Sequence, residues 1–238
     1  IHGRVHTMLE TALNRPLSAA LLCAVLEAVS VLTSGAIAAT LWVTNANDSG
    51  PGSLRETIAL SSPGDEIRFN AALVGTPIIL ISGELVIDKS LTIIGLGREW
   101  TILDGNASSR VIRIVQGATV VLSDLEIRNG VLSLPFLEGG GINNSGVLTL
   151  KRCLIDHNLS PFNLFEGAGV GVYNSGQLTI METEIVDNMS GWDIGRPGAK
   201  GVGLFNDRNG TLSMAHSRVS LNYGGASTLV NYGVLDVS

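Results

Sequence analysis

Carboxylates, imidazoles and thiols are the side chains here that could move protons, hold a metal or attack carbon, and their spacing narrows the chemistry quickly. Asp124 and Glu126 form the nearest acidic group, with Lys151 and Arg152 one repeat further on. Calcium-assisted elimination needs several carboxylates on one face and a basic proton acceptor. This set reads instead as a solvated ion-pair face. His157 and His216 fall at different positions of the repeat described below, so they stack into neither a dyad nor a metal pair. Gly167-Ala-Gly169-Val-Gly171 precedes a strand rather than a helix, which excludes a phosphate loop or a dinucleotide fingerprint. The Gly-Gly-x-Gly-x-Asp calcium nonapeptide does not occur. No cofactor, metal or catalytic residue is assigned.

The remaining candidates lie in three insertions. Leu134–Glu138 carries Phe136 and Glu138, Pro161–Glu166 carries Phe162, Phe165 and Glu166, and Gly191–Pro197 carries Trp192, Asp193 and Arg196. They follow Asn129, Asn158 and Asn188, at one corner of successive repeats, so they cluster on one edge. Loops on one face of a repeat protein are often its binding face. Aromatic faces beside carboxylates suit a sugar chain. The alternative is that these aromatics pack on one another and seal the loops. Using Glu138 with Glu166 as an acid–base pair would require a defined separation, which loop sequence does not supply.

What positions these insertions is a repeated phrase. Gly146-Val-Leu-Thr-Leu, Gly176-Gln-Leu-Thr-Ile, Gly210-Thr-Leu-Ser-Met and Gly233-Val-Leu-Asp-Val recur at intervals of 30, 34 and 23 residues. Strict alternation through Leu148/Leu150, Leu178/Ile180, Leu212/Met214 and Leu235/Val237 predicts strands with one buried face. A second apolar pair follows each of the first three (Cys153/Ile155, Thr183/Ile185, Ser217/Val219), and twelve positions after the glycine come Asn158, Asn188 and Asn222. A third short strand precedes the glycine: Gly141-Ile-Asn-Asn144, Gly171-Val-Tyr-Asn174, Gly203-Leu-Phe-Asn206 and Leu229-Val-Asn231. Asparagine suits left-handed turns, and copies in adjacent coils can bond along the stack. Gly117 to Asn129, with Leu125 and Ile127 inward, and Gly83-Glu-Leu-Val-Ile read as degraded earlier copies. No phrase has a 3.6-residue period, and the leucine-rich-repeat spacing is missing. The fold class is all-β: a right-handed parallel β-helix, a solenoid of stacked coils, over about residues 66–238. The strand at Ser238 reads as uncapped, the front part of a longer protein.

Composition agrees with that reading. Charged residues are 15%, below the roughly 25% of an average domain, and glycine is frequent at 29. A net charge of −6 without a basic run makes nucleic acid an unexpected partner.

Residues 1–38 read as a secretory signal peptide: Arg15, an apolar stretch, then Ala36-Ile37-Ala38 as a cleavage signal, with Met8 as the start. The rival is an uncleaved membrane anchor. Cleavage would leave Cys153 as a single inward thiol. Residues 39–65 read as an amino-terminal cap. It comprises a strand at Leu41–Asn45, a turn at Asp48–Gly52, and a short capping helix from Ser53-Leu-Arg-Glu56, which has capping-box spacing, to about Leu60.

Val43-Thr-Asn-Ala-Asn-Asp-Ser-Gly-Pro-Gly-Ser-Leu-Arg-Glu-Thr-Ile58 resembles the amino-terminal segment of secreted bacterial right-handed β-helix repeat proteins. It carries Gly52 and Thr57 where part of that group has Cys and Ala. Gly139-Gly140-Gly141-Ile142 and the Asn158, Asn188 and Asn222 endings resemble polymorphic outer-membrane-protein repeats, with Ile155, Ile185 and Val219 where those prefer Phe. The resemblance implies export to the cell surface or medium, often with a separate carboxy-terminal anchor, and an architectural or adhesin-like role. Its partners would be a polysaccharide or a cell-surface glycan or protein, and it would touch membrane only through the signal segment or such an anchor. The competing class is a polysaccharide lyase or glycoside hydrolase, since the pectin-lyase-like fold hosts many. Fold alone supplies no chemistry, and the Asn-Thr-Asp, Asp-Asp, Gly-His-Gly and Arg-Ile-Lys clusters of polygalacturonases do not occur.

Overall fold

In a computed structural model, residues 38–132, 137–161, 167–191 and 199–237 are described. The export segment expected over residues 1–38 lies outside them except for Ala38. From Ala38 onward the chain winds into a parallel β-solenoid of three long sheets and a two-stranded one, Leu159–Ser160 with Met189–Ser190.

Alternation becomes stacking in the first sheet. Leu148 pairs in register with Leu178, Leu178 with Leu212 and Leu212 with Leu235, while Leu150, Ile180, Met214 and Val237 form a second column. Leu148, Leu178 and Leu212 are buried. This sheet has eight parallel strands, from Thr40–Val43 to Val234–Val237. The second has six, Ile78–Ile79 to Arg218–Ser220, and stacks Ile127, Ile155, Ile185 and Val219 inward. The third also has six, Leu85–Ile87 to Leu229–Asn231. The chain visits first, second and third sheet in turn, about six times. One apolar core runs up the middle, from Val43 and Phe69 to Leu204 and Leu212.

Asparagines, most of them buried, weld coil to coil. Asn144, Asn174, Asn206 and Asn231 form one ladder, with amide-to-amide hydrogen bonds of 2.7, 2.6 and 2.6 Å. Asn158, Asn188 and Asn222 form another, at 2.8 and 2.9 Å. A buried amide is stable only when paired, and stacked copies of one residue pair each other indefinitely.

Three details of the repeat differ from the sequence reading. The ladder asparagines 158, 188 and 222 are not the left-handed residues; those are the residues just before them, His157, Asp187 and Leu221, with φ of 51°, 53° and 54°. Asn129 is itself left-handed (φ 54°) and stands in the His157 position, so the ladder position is taken by Gly130, whose N–H donates to Asn158 Oδ1 at 2.8 Å. The Gly83 copy is shifted by one strand: Leu85–Ile87 belongs to the third sheet and pairs Ile112–Ile114, whereas Leu91–Ile94 lies in the first. All three strands of a coil alternate alike, so alternation finds a strand without saying which sheet owns it.

The short helix expected from Ser53 to about Leu60 is present. Ser53 accepts from the Glu56 N–H, opening the helix Leu54–Leu60, which buries Leu54, Thr57 and Ile58. Glu56 reaches back to the Gly52 N–H rather than to that of Ser53. Arg55 ties this helix to the coil beneath it, donating to Asp48 at 2.7 Å and to the carbonyls of Gly83 and Glu84 at 2.7 and 2.8 Å. Lys89 donates to the carbonyls of Ile58, Ala59 and Ser61 at the helix end, where a cation is favourable. The strand Thr40–Val43 pairs Glu66–Phe69, so the first sheet begins inside the cap.

Candidate functional site

The insertions leave the stack in register. After the second sheet, Val131 bridges to Leu159, Leu159–Ser160 pairs Met189–Ser190, and Met189 bridges to Tyr223. The chain comes back in register too, Glu138 to Ala168 and Ala168 to Lys200. Three loops therefore depart from and return to one edge. Leu132, Val170, Ala199 and Val202 form a small separate core at their bases.

Of the loop candidates, Phe136, Phe162, Phe165, Glu166, Trp192, Asp193 and Arg196 lie outside the described residues. Glu138 is exposed at its loop's return. Its carbonyl accepts from Arg110 Nη2 at 2.6 Å, and Arg110 also donates to Gly139 O at 2.9 Å and pairs with Glu84 at 3.0 Å. Arg110 is buried, and burial pushes its pKa down against the opposing pull of Glu84. It fixes the backbone from which the Glu138 side chain projects.

Beside the loop bases lies a groove of about 410 Å³, lined by Ala107, Asn129, Val131, His157, Asn158, Leu159, Asp187, Met189 and Tyr223. One wall is the left-handed column Asn129, His157, Asp187. The other is the row Val131, Leu159, Met189 and Tyr223, the first three of which lead into the insertions. His157 is largely exposed, and its Nδ1 stands 2.6 Å from Asp156 Oδ2. Asp156 is buried, and its Oδ1 has no hydrogen-bond partner among the described residues. Burial raises its carboxyl above the ordinary range, offset only in part by His157 and Arg128. Burial and the neighbouring Asp156 charge raise Glu126 in the same way. Arg128 bonds Asp104 and Glu126, each at 3.1 Å.

The acidic set singled out from sequence therefore divides. Asp124 faces out and takes both arms of Arg152 at 2.7 Å, which holds its carboxyl below the usual range. Glu126 is covered, and its ion-pair partner is Arg128 of its own strand rather than a residue of the next coil. His157 and His216 do occupy different columns: His216 follows Asp124, Arg152 and Glu182, all left-handed. Among the described residues no group of three or more His, Cys, Asp or Glu is placed to hold a metal ion.

Sequence reasoning missed the groove. Its signal was present: a non-glycine residue before each ladder asparagine, and a large side chain directly after it, at Leu159, Met189 and Tyr223. No protein-family model matches the chain, and comparison with curated proteins and with solved structures gives no significant match.

Proposed function

We propose that this protein is an exported, secreted or surface-displayed scaffold of the right-handed β-helix type, adhesin-like in role, that presents a glycan- or partner-binding edge. One observation supports this most: three insertions depart and return in register on adjacent coils. With coils about 4.8 Å apart, the segments whose sequence carries Phe136, Glu138, Phe162, Phe165, Glu166, Trp192, Asp193 and Arg196 start and end at one edge, which supports reading them as one binding surface. A stiff stack holds such an edge without ordering cost at the moment of binding. The resemblance of the Ser53–Glu56 segment and the repeats to secreted bacterial proteins supports export.

The test is retention of neutral and uronic-acid polysaccharides and of whole cells by the mature chain. Binding without turnover is expected, with Trp192→Ala weakening it about tenfold or more. New reducing ends or unsaturated products, abolished by Glu138→Gln or Glu166→Gln, would instead make this a polysaccharide-cleaving enzyme. Absence of any binding would leave a passive stalk.

A further inference from the structure

We infer that the groove along Asn129, His157 and Asp187 is itself a binding site for a neutral glycan chain lying lengthwise on the stack. This rests on the glycan reading above but places the ligand beside the loop bases rather than on the loop tips.

The groove repeats. Neighbouring coils sit about 4.8 Å apart, so a chain running along the stack meets a polar and an apolar wall on three successive coils, at Asn129/Val131, His157/Leu159 and Asp187/Met189, before Leu221 takes the polar column's place beside Tyr223. Its apolar wall is Val131, Leu159, Met189 and Tyr223, of which Met189 and Tyr223 are 49% and 53% exposed. Its polar wall offers the His157 imidazole, the Asp187 carboxylate and the Asn129 side-chain oxygen Oδ1; Asn129 Nδ2 is engaged with Asp104 at 2.8 Å and the Asn129 backbone carbonyl with the Ala107 N–H at 2.8 Å. Asp156 holds His157 Nδ1 at 2.6 Å, leaving Nε2 for the groove. A pyranose has this same division, with a C–H face that packs on apolar side chains and a rim of hydroxyls that bond to acceptors. Small-molecule sites combine apolar walls with a few placed polar groups in the same manner.

Charge selects among sugars. Asp104, Glu126, Asp156 and Asp187 gather at this corner, and the arginine beside them, Arg128, is already bonded to Asp104 and Glu126. The groove thus lies in a negative field. It repels uronate and phosphate groups and accepts uncharged hydroxyls.

Affinity electrophoresis or calorimetry with the whole mature chain tests this, using a neutral β-glucan or mannan against polygalacturonate. Neutral glycan should bind, with little change between low and high salt because no ion pair forms. Tyr223→Ala and His157→Asn, the latter keeping a residue that tolerates left-handed backbone, should each weaken binding about tenfold, the effect of losing one good contact. Met189→Ala gives a further apolar deletion at a half-exposed position should Tyr223→Ala fail to fold. If these variants bind as well as wild type while Trp192→Ala does not, the ligand sits on the loops; the groove inference falls and the glycan reading stands. Preference for polygalacturonate would overturn the charge argument and the site with it. Failure to bind any glycan would overturn both.

Discussion

Asn188 makes most of its hydrogen bonds to coils other than its own. Its amide donates to Ile155 O at 3.1 Å and to Asn222 Oδ1 at 2.9 Å, while its oxygen accepts from both the backbone and the side chain of Asn158. Truncating it takes the acceptor from two Asn158 N–H donors on one side and a donor from Asn222 Oδ1 on the other, and a buried polar group left unpaired costs about 1–3 kcal/mol. Asn188→Ala should therefore lower unfolding free energy by about 2–4 kcal/mol in denaturant melts. Thr179→Ala, on the outer face of the first sheet, should change it by less than about 0.5 kcal/mol. Asp156 makes the opposite kind of prediction. Its carboxyl is raised in the folded chain, so folding favours the protonated form. That penalty is absent below the unfolded pKa of about 3.9 and fully present once pH has risen through the folded value. Melting temperatures of wild type relative to Asp156→Asn should accordingly fall as pH rises from 3 to 7. A difference that is flat or of opposite slope would contradict the buried, half-satisfied state of this side chain.

The cap is the element whose attachment depends most on a single residue. A helix of this length is marginal by itself, and Arg55 ties it down through Asp48, Gly83 and Glu84. The Asp48 side chain is buried and also accepts from the Ser82 N–H at 3.0 Å. Its own burial raises its pKa, but the bonds from Arg55 and Ser82 outweigh that and hold the carboxyl below its ordinary range. Arg55→Ala should cost about 2–4 kcal/mol, since breaking one side of a covered pair leaves the other charge uncompensated. Hydrogen exchange should show the loss first at Leu54–Leu60 and Leu85–Ile87, with the central coils still protected. Uniform deprotection would instead make the cap an integral part of one cooperative unit. The Ser53–Glu56 signature was legible because capping chemistry is local: Ser53, Glu56 and Gly52 are near neighbours in the chain. The bonds from Arg55 to Gly83 and Glu84 were not legible, because they span 28 and 29 residues.

Across the whole molecule, position in the stack decides what a given residue is worth. Leu178 and Leu235 stand in one column and have identical side chains, yet Leu178 is 1% exposed and Leu235 is 43% exposed. Leu178→Ala should cost about 2–5 kcal/mol by transfer and cavity formation. The repeat itself was readable in the sequence because each coil restates the same alternation, glycine and asparagine, and because burying one face of a strand requires a period of two. That was enough to determine parallel stacking, the shared leucine column, the two asparagine ladders and the common corner of the insertions. Tertiary structure alone decided which sheet owns Leu85–Ile87, which residue at each corner turns left-handed, that Glu126 and Asp156 are covered, and that His157, Asp187 and Tyr223 share a groove. The reason is physical. Periodicity fixes which way a side chain points relative to its own strand, whereas burial, charge coupling and concavity arise between side chains on different coils, about 30 residues apart in the chain and one coil spacing apart in space.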